Sequence, residues 1–132
     1  QLKFDIQGKY YLPKPEVDAA VVKFIPRRKP LIPDVDFKTL EKFCRYLFHY
    51  RRKYLRHCSS DLFPEELQHL NDELYRESGI DSTLACAWLS VQEVGELLKI
   101  YLRMCEENPG LAEYDYRAQK RIKKHHLKKE NA

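Results

Sequence analysis

Apolar and polar residues alternate over Leu2-Lys3-Phe4-Asp5-Ile6, the period of a half-buried β-strand. Gly8 interrupts the pattern, Tyr10, Tyr11 and Leu12 follow, and Pro13-Lys14-Pro15 stiffens the next stretch into an extended loop. Ala19-Ala20-Val21-Val22-Lys23-Phe24-Ile25 is nearly continuous and β-branched, which predicts a strand buried on both faces. Two strands cannot bury such a segment, so the pattern predicts that the rest of its sheet lies outside this chain. Pro26, Pro30 and Pro33, mixed with Arg27, Arg28 and Lys29, read as a linker.

Beyond the linker the period becomes helical. Asp36 is placed to cap a helix whose stripe is Phe37, Leu40, Phe43, Cys44, Leu47 and Phe48, and Tyr54 and Leu55 continue it past a basic turn. Pro64-Glu65-Glu66 suits a first helical turn, Leu67, Leu70 and Leu74 its buried side, and Gly79 its stop. Ser90-Val91-Gln92-Glu93 matches a capping box ahead of Val94, Leu97, Leu98, Tyr101 and Leu102, and Asn108-Pro109-Gly110 ends that helix. The run from Arg117 to Lys129 has too few apolar residues to dock securely, which predicts a frayed helix leading into a flexible basic tail. The expected class is mainly α: a helical domain over 34–116, preceded over 1–33 by terminal strands and a Pro-rich loop, and followed by a tail over 117–132.

Composition narrows the function classes. With 132 residues, 43% of them apolar, the chain can bury a small core. No apolar run approaches the roughly 18 residues of a membrane helix. The first residues carry neither a signal-peptide core nor a transit pattern, and without a starting Met the sequence reads as a piece of a longer protein. Charge is blocked rather than mixed. Residues 27–57 hold ten basic and three acidic groups, 58–116 hold three and thirteen, and 117–132 hold seven and one. Such polarity fits polyanion binding by the basic blocks, with solvated helix faces as the plainer alternative. Cys44, Cys58, Cys86 and Cys105 form no C-x-x-C pair and no zinc spacing with a histidine, so reduced structural thiols and no metal are expected.

Two constellations could carry chemistry. In Tyr11-Leu12-Pro13-Lys14-Pro15-Glu16-Val17-Asp18 a stiff loop presents an aromatic and a lysine, able to stack a base and touch a phosphate, or simply to join two strands. In Phe48-His49-Tyr50-Arg51-Arg52-Lys53-Tyr54-Leu55-Arg56, read as helical, three successive cations cannot share one face, so some must splay toward a polyanion or along apolar surface. The order aromatic-x-Pro-x-Pro-x-Val-Asp-x-x-Val-Val resembles the end of the methyltransferase domain in small-subunit rRNA adenine dimethyltransferases. Phe-x-x-Arg-Arg-Lys resembles that family's motif just after the catalytic domain. Arg-Arg-Lys-Tyr and Tyr101-Leu-Arg-Met-Cys-Glu-Glu-Asn-Pro-Gly-Leu are similar to the mitochondrial branch, whose members are also described as B-type transcription factors.

The resemblance spans roughly residues 8–124. It implies the last strand pair of a Rossmann-like methyltransferase domain plus a helical RNA-binding domain. The whole enzyme would use S-adenosyl-L-methionine to dimethylate two adjacent adenines in a 3′-end hairpin of mitochondrial small-subunit rRNA. Tyr11 would face the target base, and Lys14, Arg51, Arg52, Lys53 and Arg56 would contact phosphate. No catalytic or methyl-donor residue is expected here, because the Gly-rich segment, the acidic ribose ligand and the Asn-Leu-Pro-Tyr-type motif are missing. The implied partners are the rRNA hairpin and the assembling mitochondrial small ribosomal subunit, in the mitochondrial matrix. The competing reading is a protein-interaction module contacting mitochondrial RNA polymerase through the acidic 58–116 segment.

Overall fold

The computed structural model of the chain describes residues 1–130; positions 131 and 132, the end of the expected tail, lie outside them. Among the described residues two strands and five α-helices form, with three short 3-10 turns between them. The chain divides into two compact units, Gln1–Pro30 and Leu31–Ala132.

In the first unit β1 (Leu2–Ile6) pairs antiparallel with β2 (Ala19–Val22), with Phe4 opposite Val21 and Ile6 opposite Ala19. The ladder runs out where Lys23 and Gln1 exchange backbone hydrogen bonds. Expected burial on both faces of the second strand is not met. All four residues of β2 are exposed, and Phe24, at 89% exposure, lies beyond the ladder. A lone two-stranded ribbon has no layer to cover either face, so an apolar pattern suited to a larger sheet stays bare.

In the second unit Asp36 caps α1 (Phe37–Leu47), its carboxylate accepting from the Thr39 amide at 3.0 Å and from the Thr39 hydroxyl. This helix buries Phe43, Tyr46 and Leu47, while Phe37 and Phe48, expected on its inner stripe, are exposed. They sit at the helix ends, where no neighbouring helix covers them. Next come α2 (Leu55–Ser60) and α3 (His69–Ser78), the latter ended by Gly79 at φ 68°. A Cβ is disfavoured in that left-handed conformation, which is why glycine stops the helix there. The long α4 (Val91–Glu107) opens on the expected capping box: Glu93 N donates to Ser90 Oγ, and Ser90 N donates to Glu93 at 2.7 Å.

The core lies where α3 meets α4 and where α1 and α3 flank α2. Phe43, Leu47, Leu55, Leu74, Leu97 and Leu98 are fully buried, and the Tyr101 ring lies 5.5 Å from Phe43 and 5.9 Å from Phe63. Burying one such aliphatic side chain contributes about 1.5–3 kcal/mol. The linker takes part as well, since Ile32 packs on Gly95 of α4, where an added Cβ would meet it at 3.3 Å.

The last helix, α5 (Tyr116–Glu130), carries the basic tail as regular helix. Its first turn is tied down by Asp115, which accepts from Arg117 N and from the Tyr46 hydroxyl, both at 2.9 Å. Further along, Ile122 and Leu127 remain exposed, in keeping with the lack of a docking stripe. No helix of the described residues is long and apolar enough to cross a membrane.

Candidate nucleic-acid interface

The basic segment 51–53 does not lie on a helix, contrary to the expectation from spacing. Phe48 caps α1, and Tyr50 O accepts from Lys53 N at 3.2 Å, so Arg51 and Arg52 form the corner of a tight turn. A continued helix would forfeit the pairing that follows. Tyr54 forms an isolated antiparallel bridge with Ala85, Leu55 N donates to Leu84 O at 2.9 Å, and Arg56 N donates to Ser82 O at 3.1 Å. That pairing delivers Leu55 to the core with no exposure at all.

From below, the same backbone is fixed by buried polar groups. The Cys58 thiol lies 3.5 Å from Tyr50 O, and Asn71 Nδ2 donates to Arg56 O at 2.7 Å. The Ser59 hydroxyl lies 2.9 Å from Leu55 O, 2.6 Å from Asn71 Oδ1 and 2.7 Å from the Tyr75 hydroxyl. Burial pushes the Tyr75 phenol well up, which keeps it a neutral donor. Sequence periodicity could not find Ser59, Asn71 and Tyr75 as supports. A polar residue at position 71 gives no hint that its partner is the carbonyl of Arg56.

Held this way, Arg51, Arg52, Lys53 and Arg56 all have exposed side chains. Among the described residues none of them enters an ion pair, whereas Arg45 meets Glu41 and Arg103 meets Glu77. The Arg56 guanidinium sits 5.7 Å from the centre of the Tyr54 ring. Arg52, Lys53, Tyr54, Arg56 and His57 line one shallow groove without a carboxylate among them. Fixed backbone with unpaired cations suits phosphate contacts, because the backbone supplies register and the arginines supply forked donors.

The other two expected site residues belong to the first unit. Tyr11 follows the 3-10 turn Gly8–Tyr10, its amide donating to Gly8 O at 3.1 Å, and its side chain is partly open at 41% exposure. Lys14 is exposed in the same loop. The clamp of this loop is Gly8, whose amide donates to Asp18 Oδ1 at 2.7 Å. A Cβ at Gly8 would meet Val17 O at 2.9 Å, so the loop closes only around a glycine. Asp18 is thus a structural part of the Pro-rich motif that reading the motif for chemistry passed over.

The chain's glycines also bear on the methyl donor. Gly8 closes a loop, Gly79 and Gly110 take left-handed conformations at turns, and Gly95 seats Ile32. None of the four lies in a nucleotide-cradling run. Burial pushes the Cys44, Cys58 and Cys105 thiols up and away from the reactive thiolate.

Comparison with known proteins shows the family. Residues 5–99 match the family model described as ribosomal RNA adenine dimethylase. Over 117 residues the chain is 40% identical to mitochondrial dimethyladenosine transferase 1 of Caenorhabditis elegans, covering 88% of this chain and 32% of that protein. It is 40% identical over 122 residues to the Xenopus laevis protein of the same name, and 39% identical over 123 residues to that of Homo sapiens. Each of those matches takes in 92% of this chain and 35% of the relative. The chain therefore spans about a third of the length of the curated relatives it matches. It belongs to the ribosomal RNA adenine dimethylase family.

Proposed function

We propose that this chain is the RNA-gripping portion of an S-adenosyl-L-methionine-dependent enzyme that dimethylates two adjacent adenines in a 3′-end hairpin of mitochondrial small-subunit rRNA, in the matrix. On this reading residues 1–33 close the methyltransferase domain, with Tyr11 beside the extruded base and Lys14 on phosphate. The methyl-donor site lies on the remainder of the enzyme. Residues 34–116 orient the hairpin through Arg51, Arg52, Lys53 and Arg56, and 117–132 add unspecific attraction. The observation that carries it is the rigid basic turn: four unpaired exposed cations on a backbone fixed from both sides, in a member of this family.

The test is charge reversal of 51–53 in the full enzyme, read by hairpin binding, adenine methylation and capture of mitochondrial RNA polymerase. Loss of hairpin affinity and methylation with polymerase capture intact is the expected outcome. Lost polymerase capture with unchanged RNA affinity would overturn the proposal in favour of a transcription-factor surface.

A further inference from the structure

Trp88 is the one tryptophan of the chain, and 77% of it is exposed. It closes the 3-10 turn Cys86–Trp88, with its amide donating to Ala85 O at 3.1 Å and buried Cys86 anchoring the turn. Ala85 is the residue that pairs with Tyr54. Two exposed aromatics, Tyr54 at 54% and Trp88, therefore belong to two backbone segments bonded to each other, and Tyr54 lines a groove with Arg52, Lys53, Arg56 and His57. The two carboxylates nearest Trp88 along the chain are both engaged: Glu93 accepts from Ser90 N at 2.7 Å, and Asp81 accepts from the Thr83 amide at 2.9 Å and from the Thr83 hydroxyl at 2.6 Å.

Exposed aromatic rings with a groove lining that holds three cations and no carboxylate suit a partner that brings flat rings and negative charge together. Unpaired nucleotides have that chemistry. A closed duplex hides its base faces and offers only phosphate and sugar to such a surface. An apolar protein segment would leave the surrounding cations without counter-charge. We propose that Tyr54 and Trp88 form a stacking platform for unpaired bases, so that the basic turn selects single-stranded or looped RNA over duplex. The proposal rests on reading the turn as an RNA contact and adds the structural class of RNA it takes. Arg56, close to the Tyr54 ring, would hold the phosphate beside a stacked base while the ring holds the base itself.

Because Trp88 is alone, its fluorescence reports directly on the platform. The chain is titrated with single-stranded oligoadenylate and with a blunt RNA duplex of equal length, at one salt concentration. Single strand should quench Trp88 and bind more tightly. Trp88→Ala and Tyr54→Ala should each weaken single-strand binding roughly tenfold, the loss expected for one base–aromatic stack, with duplex binding unchanged. Trp88→Phe and Tyr54→Phe should restore most of the affinity, and circular dichroism should show every variant folded. If both RNAs bind while Trp88 stays silent, or if the alanine variants lose both RNAs equally, the platform is overturned and the basic turn stands. Trp88→Ala with full RNA affinity would likewise overturn it and leave Trp88 to a protein partner. If neither RNA binds the unaltered chain, the reading of the turn fails and the platform with it.

Discussion

Asn71 shows how one side chain can decide the geometry of a surface it never reaches. Its amide nitrogen donates to the Arg56 carbonyl at 2.7 Å and its oxygen faces the Ser59 hydroxyl at 2.6 Å, both in the interior. Substitution by alanine would take the side-chain donor from the Arg56 carbonyl and one partner from the Ser59 hydroxyl, which keeps Leu55 O and the Tyr75 hydroxyl, a loss of about 1–3 kcal/mol. The expected result of Asn71→Ala is a lower denaturant midpoint together with weaker hairpin binding, although Asn71 touches no RNA. An unchanged midpoint would mean that water replaces the amide and that the turn does not depend on it. Asn71→Asp should be worse than alanine in stability, since it loses the donor and brings a charge into the core.

At the scale of elements, carboxylates at helix starts do repeated work. Hydrogen bonds from Thr39 hold Asp36 below its usual range, those from Ser90 hold Glu93 low, and the Tyr46 hydroxyl does the same for Asp115. Each is more acidic folded than unfolded. Its contribution is therefore present above the ordinary values of 3.8 for aspartate and 4.5 for glutamate, and is lost as pH falls through the folded value. Asp61 has the opposite sign: burial raises it, so it gains stability as pH falls. Because the three caps are exposed, each effect is screened and modest. The combined variant Asp36→Asn, Glu93→Gln, Asp115→Asn keeps the acceptors but cannot ionise. It should melt lower than the parent at neutral pH and lose less on acidification; identical pH profiles would remove the caps from the account. The Asp36 and Ser90–Glu93 caps were legible in the sequence because they act within three residues, as were Gly79 and the stripe of α4; Asp115 was not, since its partner Tyr46 lies far along the chain. The turn at 50–53 was not, because its causes lie at Ala85, Leu84 and Asn71, far along the chain. The exposure of β2 was equally hidden, since an apolar strand records the sheet it suits rather than the neighbours present.

Across the whole chain, the two basic regions differ in what surrounds them. In α5, Lys120 and Lys123 line a cleft opposite Asp61, Glu65 and Glu66, so part of their field is already answered from within the unit. The groove lined by Arg52, Lys53, Tyr54, Arg56 and His57 has no carboxylate in its lining, and the turn is fixed by hydrogen bonds on both sides. Phosphate neutralisation adds about 0.7–0.9 per contact to the salt slope of binding, so six fully engaged cations would add roughly 4–5. Residues 118–132 hold six cations, and their deletion should lower the slope by less than that, because carboxylates in the same cleft compete for Lys120 and Lys123. Hairpin and unstructured RNA should weaken by similar factors on that deletion, since the hydrogen bonds that tie α5 down lie at its first turn and its cations beyond impose little geometry on a ligand. Arg51→Ala with Arg52→Ala should instead weaken the hairpin preferentially. Arg51→Lys with Arg52→Lys should restore charge without restoring full affinity, because an ammonium cannot reproduce the guanidinium fork. Binding measured at two salt concentrations separates these outcomes. Equal losses for both RNAs in the alanine pair, or full recovery with lysine, would reduce the turn to plain basicity, and shape recognition would then have to lie in the loop that carries Tyr11 and Lys14.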